Sequence, residues 1–349
     1  MSDEFLGADG VHIGVNLDWG SETVADYAEK LGRQPADVVS FVPVPWSSEE
    51  RDWAVQAGAQ TAEAGAAHVL TLEPQDGLGV VDEALIEEIV DLLQEITRLG
   101  VPVVVRFAHE MNGSWYAWGQ QPELYVETFR NVATAVHDQV PGATMMWAPN
   151  YGGGYPFTGG AYAAIPGSAD GRVLDTDDDG ALSSADDPYA PYYPGDEYVD
   201  WVGMSLYHWG SRHPWGENEM PEPGKFVQQL RGEYNGLGGD DTAVPDFYAE
   251  YGERRGKPVA IPETAALVVD RGDTRAQRRI KQAWAEQVFE PSLREELPAL
   301  RMINWFEWAK HEPEVDDVVI WSMLDDTETR GTYQDSMPAW ALFGDRTSC

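Results

Sequence analysis

The sequence predicts an α/β fold, a closed (β/α)8 TIM barrel. Short apolar segments occur eight times along the chain, and most are continuously hydrophobic, as strands of a parallel sheet are when both faces are covered. Helix-like stretches separate these segments, and such regular alternation is typical of a barrel with an outer ring of helices. No change in composition marks an interdomain linker, so we expect a single domain over residues 1–349.

The predicted elements follow from hydrophobic periodicity and from capping residues. The strands are expected at His12–Leu17, Val38–Val44, His68–Pro74, Val101–His109, Thr144–Asn150, Tyr198–Tyr207, Lys257–Glu263 and Met302–Trp308. A helix over Asp82–Leu99 has apolar residues at helical spacing and ends before Gly100. Further helices are expected to begin at Ser47 and to span Pro122–Val140 and Thr274–Leu297. The long segment 151–198 is predicted to be a loop after strand five, on the face where barrels carry their sites.

The chain is strongly acidic. It contains 60 Asp and Glu against 23 Lys and Arg, a net charge of −37. Such a surface repels nucleic acid and anionic membranes, so neither is expected as a partner, whereas a neutral polymer is compatible. We expect a monomer. The opening residues, Met1–Gly7, have no signal-peptide pattern. We nevertheless expect an extracellular protein whose leader is not visible in this sequence. A cytoplasmic location is the alternative.

Polar and aromatic side chains collect where the predicted strands end. In Val103–Trp118 a β-branched strand ends on Arg106, His109 and Glu110, and aromatic residues follow. Burying such groups is costly unless they face a cleft, and aromatic rings beside a carboxylate suit a sugar-cleaving site. The other carboxylates at strand ends are Glu263 and Glu307. The residues expected to bind substrate are Arg106, His109, Asn112, Trp115, Tyr207, Trp209, Trp305 and Glu73.

Glu110 and Glu263 are the strongest catalytic candidates. They end strands four and seven, which lie opposite each other across a closed barrel. A retaining glycosidase holds two carboxyls about 5–5.5 Å apart, one protonated for the leaving oxygen and the other ionised for attack. We expect Tyr207 to bind Glu263, and Arg106 and His109 to orient Glu110. Either role is open to Glu73 or Glu307 as alternatives.

Three motifs resemble glycoside hydrolase family 26. They are Arg106-x-x-His-Glu-Met-Asn-Gly-x-Trp115, Trp201-Val-Gly-Met-Ser-Leu-Tyr207 and Lys257-Pro-Val-Ala-Ile-Pro-Glu263. The resemblance implies a (β/α)8 fold and a retaining mechanism with Glu110 as acid/base and Glu263 as nucleophile. It also implies that residues at the cleavage subsite include His109, Trp115, Tyr207 and Trp305.

The substrate that the resemblance implies is a β-1,4-linked mannan, because most of the family are endo-β-mannanases. Some members cleave mixed-linkage β-1,3-1,4-glucan. Two departures bear on this choice. The nucleophile strand reads Pro262-Glu-Thr-Ala265, where the family usually has Ala-Glu-Phe-Gly. Strand three ends Thr71-Leu-Glu-Pro74, where many mannanases have a histidine, and this resembles the glucanase branch. An inactive carbohydrate-binding barrel is the alternative from another class.

The segment Asp175–Asp186 resembles an EF-hand calcium loop. Carboxylates stand at positions 1, 3, 5 and 12, with Gly180 at position 6. The ligands this pattern implies are Asp175, Asp177, Asp179, Ala181 and Asp186. No cofactor is expected for catalysis, and the calcium is expected to be structural. The alternative is a solvated acidic run.

Overall fold

Eight parallel strands form a closed barrel in the computed structural model, which describes residues 9–211, 213, 215–236 and 244–344. The strands are β1 Val11–Leu17, β2 Asp37–Pro43, β3 Ala67–Glu73, β4 Val103–Phe107, β5 Ala143–Trp147, β6 Trp201–Ser205, β7 Val259–Thr264 and β8 Leu300–Glu307. Each pairs with the next, and β1 also pairs with β8, which closes the barrel. The predicted (β/α)8 fold is confirmed, and each predicted strand overlaps one of these eight.

Helices surround the barrel. They are α1 Val24–Leu31, α2 Ser48–Glu63, α3 Glu83–Thr97, α4 Pro122–Gln139, α5 Ala169–Leu174, α6 Lys225–Leu230, α7 Thr274–Val288, α8 Leu293–Glu296 and α9 Thr327–Asp335. The Ser47 side chain accepts a hydrogen bond from the backbone N–H of Glu50, and the Glu50 carboxylate accepts one from the backbone N–H of Ser47, so a capping box starts α2. The prediction of a single helix over residues 274–297 is wrong. This segment forms two helices, α7 and α8, because Pro291 disfavours a helical backbone at Glu290.

Additional elements lie around the barrel ends. A hairpin of β9 Ala309–Glu312 and β10 Asp317–Ile320 follows β8, and β11 Ala341–Leu342 adds to the start of β1. Helix α5 lies within the long segment after β5. The opening segment Met1–Gly7 lies outside the described residues. In the described part of the chain, no helix has the length and hydrophobicity needed to cross a membrane.

The barrel interior is filled by alternate residues of the strands. A cluster of buried apolar side chains, which includes Val39, Val69, Val104 and Met302, occupies its centre. Side chains further along the strands become polar, so the packed core ends below the rim formed by the carboxyl ends of the strands. The charged groups of the site therefore lie directly above a rigid apolar core that excludes water.

Strand β7 contains one residue more than its neighbours over the same stretch. Ala260 and Glu263 pair with β6 residues that are two apart, and Ile261 and Thr264 pair with β8 residues that are two apart. This is a β-bulge, which re-aims side chains. Under strict alternation from the inward-facing Ala260, Glu263 would face the helices. The bulge instead turns it toward the cavity.

Candidate active site

Glu110 and Glu263 meet at the rim of the barrel. His109, Glu110 and Glu263 each place one side-chain atom within 4.8 Å of the other two. Both glutamates are largely buried, with 8% and 6% of their surface exposed. Such a close approach of two carboxyls is compatible with double displacement at a sugar carbon, for which the carboxyls lie about 5–5.5 Å apart, and not with the wider pair of an inverting enzyme.

Glu110 is held by an unusual backbone turn after β4. Its φ is 54°, in the left-handed region that costs a non-glycine residue on the order of 1 kcal/mol. Its N–H donates to the carbonyl of Ala148 at 2.9 Å, and the indole N–H of Trp115 donates to its Oε2 at 2.9 Å. Burial, and next the charge of Glu263, raise the pKa of Glu110 to about 7. This carboxyl is therefore suited to carry a proton near neutral pH.

Glu263 has two strong hydrogen-bond donors. The Arg106 guanidinium donates to Oε1 through Nη1 and to the hydroxyl of Ser205 through Nη2, the latter at 2.7 Å. The phenol of Tyr207 donates to Oε2 of Glu263 at 2.6 Å. A buried cation and a hydroxyl group both stabilise the ionised carboxylate, as a nucleophile requires. Arg106 is fully buried, so it acts through Glu263; the expected direct contact of Arg106 with substrate is wrong.

His109 lies beside the two glutamates and contacts three aromatic rings. Its ring centroid lies 5.7 Å from that of Phe41, 5.1 Å from Tyr116 and 5.8 Å from Trp118. Burial, and next the nearby charge of Arg106, hold the pKa of His109 well below its usual range. This pKa direction favours the neutral imidazole near pH 7.

Trp115 and Tyr207 are aromatic residues that each bind a different member of the carboxyl pair. Trp115, which bonds to Glu110, packs edge-on against Phe157 of the long loop at 5.2 Å. Tyr207, which bonds to Glu263, lies 6.4 Å from Trp209 and 5.1 Å from Trp321. Both groups keep part of their surface exposed to the cleft, so sugar rings can contact them.

Glu73 is a third carboxyl near the pair. It ends β3 and accepts a hydrogen bond from Gln75 at 3.3 Å. Burial raises the pKa of Glu73, and the charge of Glu263 raises it further. This position suits a contact with a sugar hydroxyl, and neither the Arg106 nor the Tyr207 hydrogen bond that holds Glu263 reaches Glu73.

Two aromatic and acidic candidates on β8 are placed away from the cleft. Trp305 is 0% exposed and packs against Phe289 and Tyr333 of the helical layer, so the prediction that it lines the cleavage subsite is wrong. The reason is strand parity, because Met302 faces the interior and Trp305 is three residues later. Glu307 faces outward for the same reason and accepts backbone N–H bonds from Met323 and Leu324, so it is excluded from either catalytic role.

Asn112 also does not face the cleft. It is fully buried, its amide N–H donates to the carbonyl of Asn150 at 2.8 Å, and its oxygen accepts from the Asn150 N–H at 2.9 Å. The predicted contact of Asn112 with substrate is therefore wrong. Its side chain instead ties the loop after β4 to the end of β5.

The structure adds site residues that the sequence prediction missed. Tyr116 stacks on Trp118 at 4.4 Å and lies 5.1 Å from the ring of His109. Burial, and next the charges of Glu110 and Glu263, raise the pKa of Tyr116 far above its usual value. Phe41 is on the inward face of β2, two residues after Val39, so alternation was a usable signal for it. Lys310 lies over the ring of Phe306 at 5.4 Å, and its position in a hairpin had no sequence signal.

The predicted calcium loop brings three of its four carboxylates together. Asp175, Asp177 and Asp186 each have an oxygen within 4.8 Å of the other two. Gly180 adopts a φ of 88°, which favours glycine, and its N–H donates to Asp175 at 2.9 Å. Asp186 is buried and accepts N–H bonds from its own loop, as at Ser183. Calcium binding stays a prediction from the ligand spacing.

Calcium is expected to raise the melting temperature without taking part in chemistry. At a hundredfold excess over Kd, a ligand of the native state adds about 2.7 kcal/mol of stability. Chelation should lower the melting temperature of the wild type, and Asp177→Ala should abolish this response while activity at low temperature changes little. The matched control is Asp178→Ala, which the pattern does not use as a ligand. A melting curve indifferent to calcium and chelator would make the loop a solvated acidic run.

Comparisons with known proteins agree with the barrel and with the motif around Glu110. The model of glycosyl hydrolase family 26 matches residues 42–165, a range that contains Glu110 and ends before Glu263. The chain is 26% identical over 133 residues to Endoglucanase H of Acetivibrio thermocellus, covering 36% of this chain and 12% of that protein. The same identity and length hold for a mannan endo-1,4-β-mannosidase of Bacillus subtilis, covering 36% and 28%.

The match to a third relative extends over more residues. The chain is 26% identical over 217 residues to a β-1,3-xylanase of an Alcaligenes species, covering 57% of this chain and 38% of that protein. The chain thus spans between 12% and 38% of the length of these three relatives.

Solved structures share the fold over nearly the whole chain. A modular endo-β-1,4-mannanase from Cellulomonas fimi superposes with a TM-score of 0.59 at 16% identity, covering 97% of this chain and 73% of that one. A Bacillus subtilis mannanase gives 0.53 at 15% identity, covering 98% and 90%. The family model and the relatives each match part of the chain, and the solved structures share its barrel.

Proposed function

We propose that the chain is a retaining endo-β-glycanase that hydrolyses β-1,4 linkages of a neutral polysaccharide, with β-mannan as the first substrate to test. The observation that carries the proposal is the pair of opposed carboxyls, Glu110 and Glu263, in two different environments. One has its pKa raised to about 7 by burial and by its neighbour's charge, and the other is bound by a guanidinium and a phenol. Such a pair supplies one acid and one nucleophile.

In the first step Glu263 attacks the anomeric carbon while Glu110 gives its proton to the glycosidic oxygen. The bond from the sugar to the leaving oxygen breaks, and an ester between the sugar and Glu263 forms. The negative charge of Glu263 disappears in this ester. Because that charge helps to raise the pKa of Glu110, its loss lowers the pKa as the step proceeds.

In the second step Glu110, now ionised, takes a proton from water as the water attacks the ester. The sugar leaves with its original anomeric configuration, and both glutamates return to their starting states. Arg106 and Tyr207 keep their contacts with Glu263, so the carboxylate is received in a prepared position.

Mixed-linkage β-1,3-1,4-glucan is the second candidate substrate. Glu73 occupies the end of β3 beside the carboxyl pair, and one relative is named an endoglucanase. The test is a reducing-sugar assay on mannan, galactomannan, mixed-linkage glucan and β-1,3-xylan, followed by NMR of the first product anomer. Retention on one of these supports the proposal. Inversion would contradict the mechanism, and the absence of hydrolysis together with measurable polysaccharide binding would favour an inactive carbohydrate-binding barrel.

The pH profile should report the state of Glu110. Since the first step needs its proton, kcat/KM is expected to fall as pH rises through about 7. The indole N–H of Trp115 stabilises the ionised form of Glu110, so Trp115→Phe should raise the pKa and move this falling limb to higher pH. Trp209→Phe is the control, because that indole lies on the Tyr207 side. A limb that stays in place in Trp115→Phe would contradict the assignment of the acid.

A further inference from the structure

Trp321 is a buried tryptophan in contact with two aromatic residues of the site. It directly follows β10 and is 1% exposed. The centroid of its ring lies 5.1 Å from that of Tyr207 and 5.2 Å from that of Trp209. Because Trp321 is buried, it can act on the reaction only through the side chains that it contacts.

The backbone around Tyr207 is fixed by its pairing with the segment of the nucleophile. The N–H groups of Leu206 and His208 donate to the carbonyls of Glu263 and Ala265 at 3.0 Å and 2.9 Å. The direction of the phenol therefore depends on the side-chain torsions of Tyr207, and these depend on the rings packed against it. The neighbouring rings are Trp209 at 6.4 Å, Phe306 at 5.9 Å and Trp321 at 5.1 Å.

Three hydrogen bonds fix Trp321. Its backbone N–H donates to the carbonyl of Trp308 at 2.9 Å, and its own carbonyl accepts from the indole of Trp305 at 3.1 Å. These two bonds hold the main chain. In the third, the indole N–H of Trp321 donates to Oε1 of Glu312 at 2.8 Å. A rotation of the indole would break this third bond, so Glu312 sets the orientation of the ring that meets Tyr207.

Glu312 is a buried carboxylate at the end of β9. It is 7% exposed, and Nζ of Lys310 lies 3.3 Å from its Oε1. Burying a carboxylate is costly unless it is paired, and a charged acceptor makes a stronger hydrogen bond than a neutral one. The hairpin thus brings a paired carboxylate to the single polar atom of the Trp321 side chain.

We propose that Trp321, oriented by Glu312, is a positioning residue that holds the phenol of Tyr207 on the nucleophile Glu263. The contacts form one series, from the Glu312 carboxylate through the Trp321 indole and the Tyr207 phenol to Oε2 of Glu263. This inference rests on the proposed function and gives the hairpin a part in it. A displaced phenol would leave the ionised carboxylate with one donor fewer.

The kinetic test is a double-mutant cycle between Trp321 and Tyr207. Trp321→Leu is expected to lower kcat on the hydrolysed polysaccharide roughly tenfold with little change in KM, the effect of weakening one hydrogen bond to a charged group. In a Tyr207→Phe background the same substitution should lower kcat by no more than about twofold, because the phenol that Trp321 positions is absent. Equal losses in the two backgrounds would overturn the inference.

Glu312 supplies a second variant and a rescue. Glu312→Leu removes the acceptor of the indole and should reproduce the loss in kcat, whereas Glu312→Gln keeps an oxygen for the indole and should restore most of the rate. Trp305→Phe is the matched control, because it removes the bond to the Trp321 carbonyl and leaves the bond to Glu312. It should lower the melting temperature without lowering kcat. The same kcat loss in Trp305→Phe would reduce Trp321 to a packing role.

An NMR measurement separates this inference from the proposed function, because it needs no turnover. In protein labelled with ¹³Cζ-tyrosine, the Tyr207 signal is identified by its loss in Tyr207→Phe, and Glu263→Gln gives its position without a charged acceptor. Trp321→Leu and Glu312→Leu should move the signal toward that position, and Glu312→Gln should leave it near its wild-type place. A signal that moves in this way in a protein without hydrolytic activity would remove only the proposed function. A signal unmoved in both leucine variants would overturn the inference even for an active enzyme.

Discussion

Glu263→Ala is expected to lower the rate on the natural polysaccharide by roughly 10⁴-fold or more, because Glu263 is the proposed nucleophile and, among the described residues, the carboxylate that both Arg106 and Tyr207 bind. Kinetics on purified protein would measure this loss. The substitution also leaves the buried Arg106 without its carboxylate partner, which destabilises a protein. Glu263→Gln, which keeps a hydrogen-bond acceptor for Arg106, serves as the second variant, with melting temperature as the measure of folding.

Glu110→Ala should lose activity in a different way. Activated aryl glycosides need little protonation, so they should be cleaved far better than the polysaccharide, and azide should restore turnover with retained configuration. Glu73→Gln is the matched control, since it alters a carboxyl that neither Arg106 nor Tyr207 holds.

A Glu263→Ala enzyme that retained more than a few per cent of wild-type rate would show that the nucleophile is another residue.

Trp305→Ala is expected to lower the free energy of unfolding by about 3–5 kcal/mol, the usual range for truncating a large buried aromatic residue. The indole is fully buried, donates to the carbonyl of Trp321 at 3.1 Å and packs against Phe289 and Tyr333. Removing it leaves a cavity between β8 and the helices and a carbonyl without its donor. Urea unfolding of the wild type and the variant measures the difference.

The matched control for this change is Trp209→Ala, which truncates a partly exposed tryptophan at the cleft. It should reduce stability less and catalysis more than Trp305→Ala does. The folded fraction of Trp305→Ala at low temperature should keep close to wild-type kcat/KM. A large kinetic defect in a Trp305→Ala protein of unchanged stability would return this residue to the substrate site.

The barrel was predictable because its signals are local. Each strand is a short apolar run bounded by polar residues, and helix starts such as Ser47 and Asp82 carry their own caps. The helix break before Pro291 has an equally local signal, which is the proline itself. The hairpin β9–β10 contains few buried residues, so its sequence lacks the pattern of a core strand.

The site was predictable only in part. The sequence indicates where a residue lies along a strand, but the side chain must also point toward the cleft and not toward the helices. Glu110 and Trp115 are separated by five positions, so their hydrogen bond is local in the sequence. Trp305 was assigned from resemblance, whereas the parity of β8 turns it outward. Trp19 and Trp53 come from separate elements and their rings meet only in the folded barrel, so no spacing in the sequence indicates their contact.

The bulge in β7 changes what would have to be transplanted to move this nucleophile into another barrel. Its extra residue is accommodated at Pro262, whose carbonyl accepts a hydrogen bond from the Asn16 amide of β1 at 2.7 Å. A glutamate grafted onto a regular strand at the same sequence offset would point to the outer helices. The transferable unit is therefore the segment 261–264 together with Asn16, and a designer who copies side chains alone would move the carboxylate to the wrong face of the sheet.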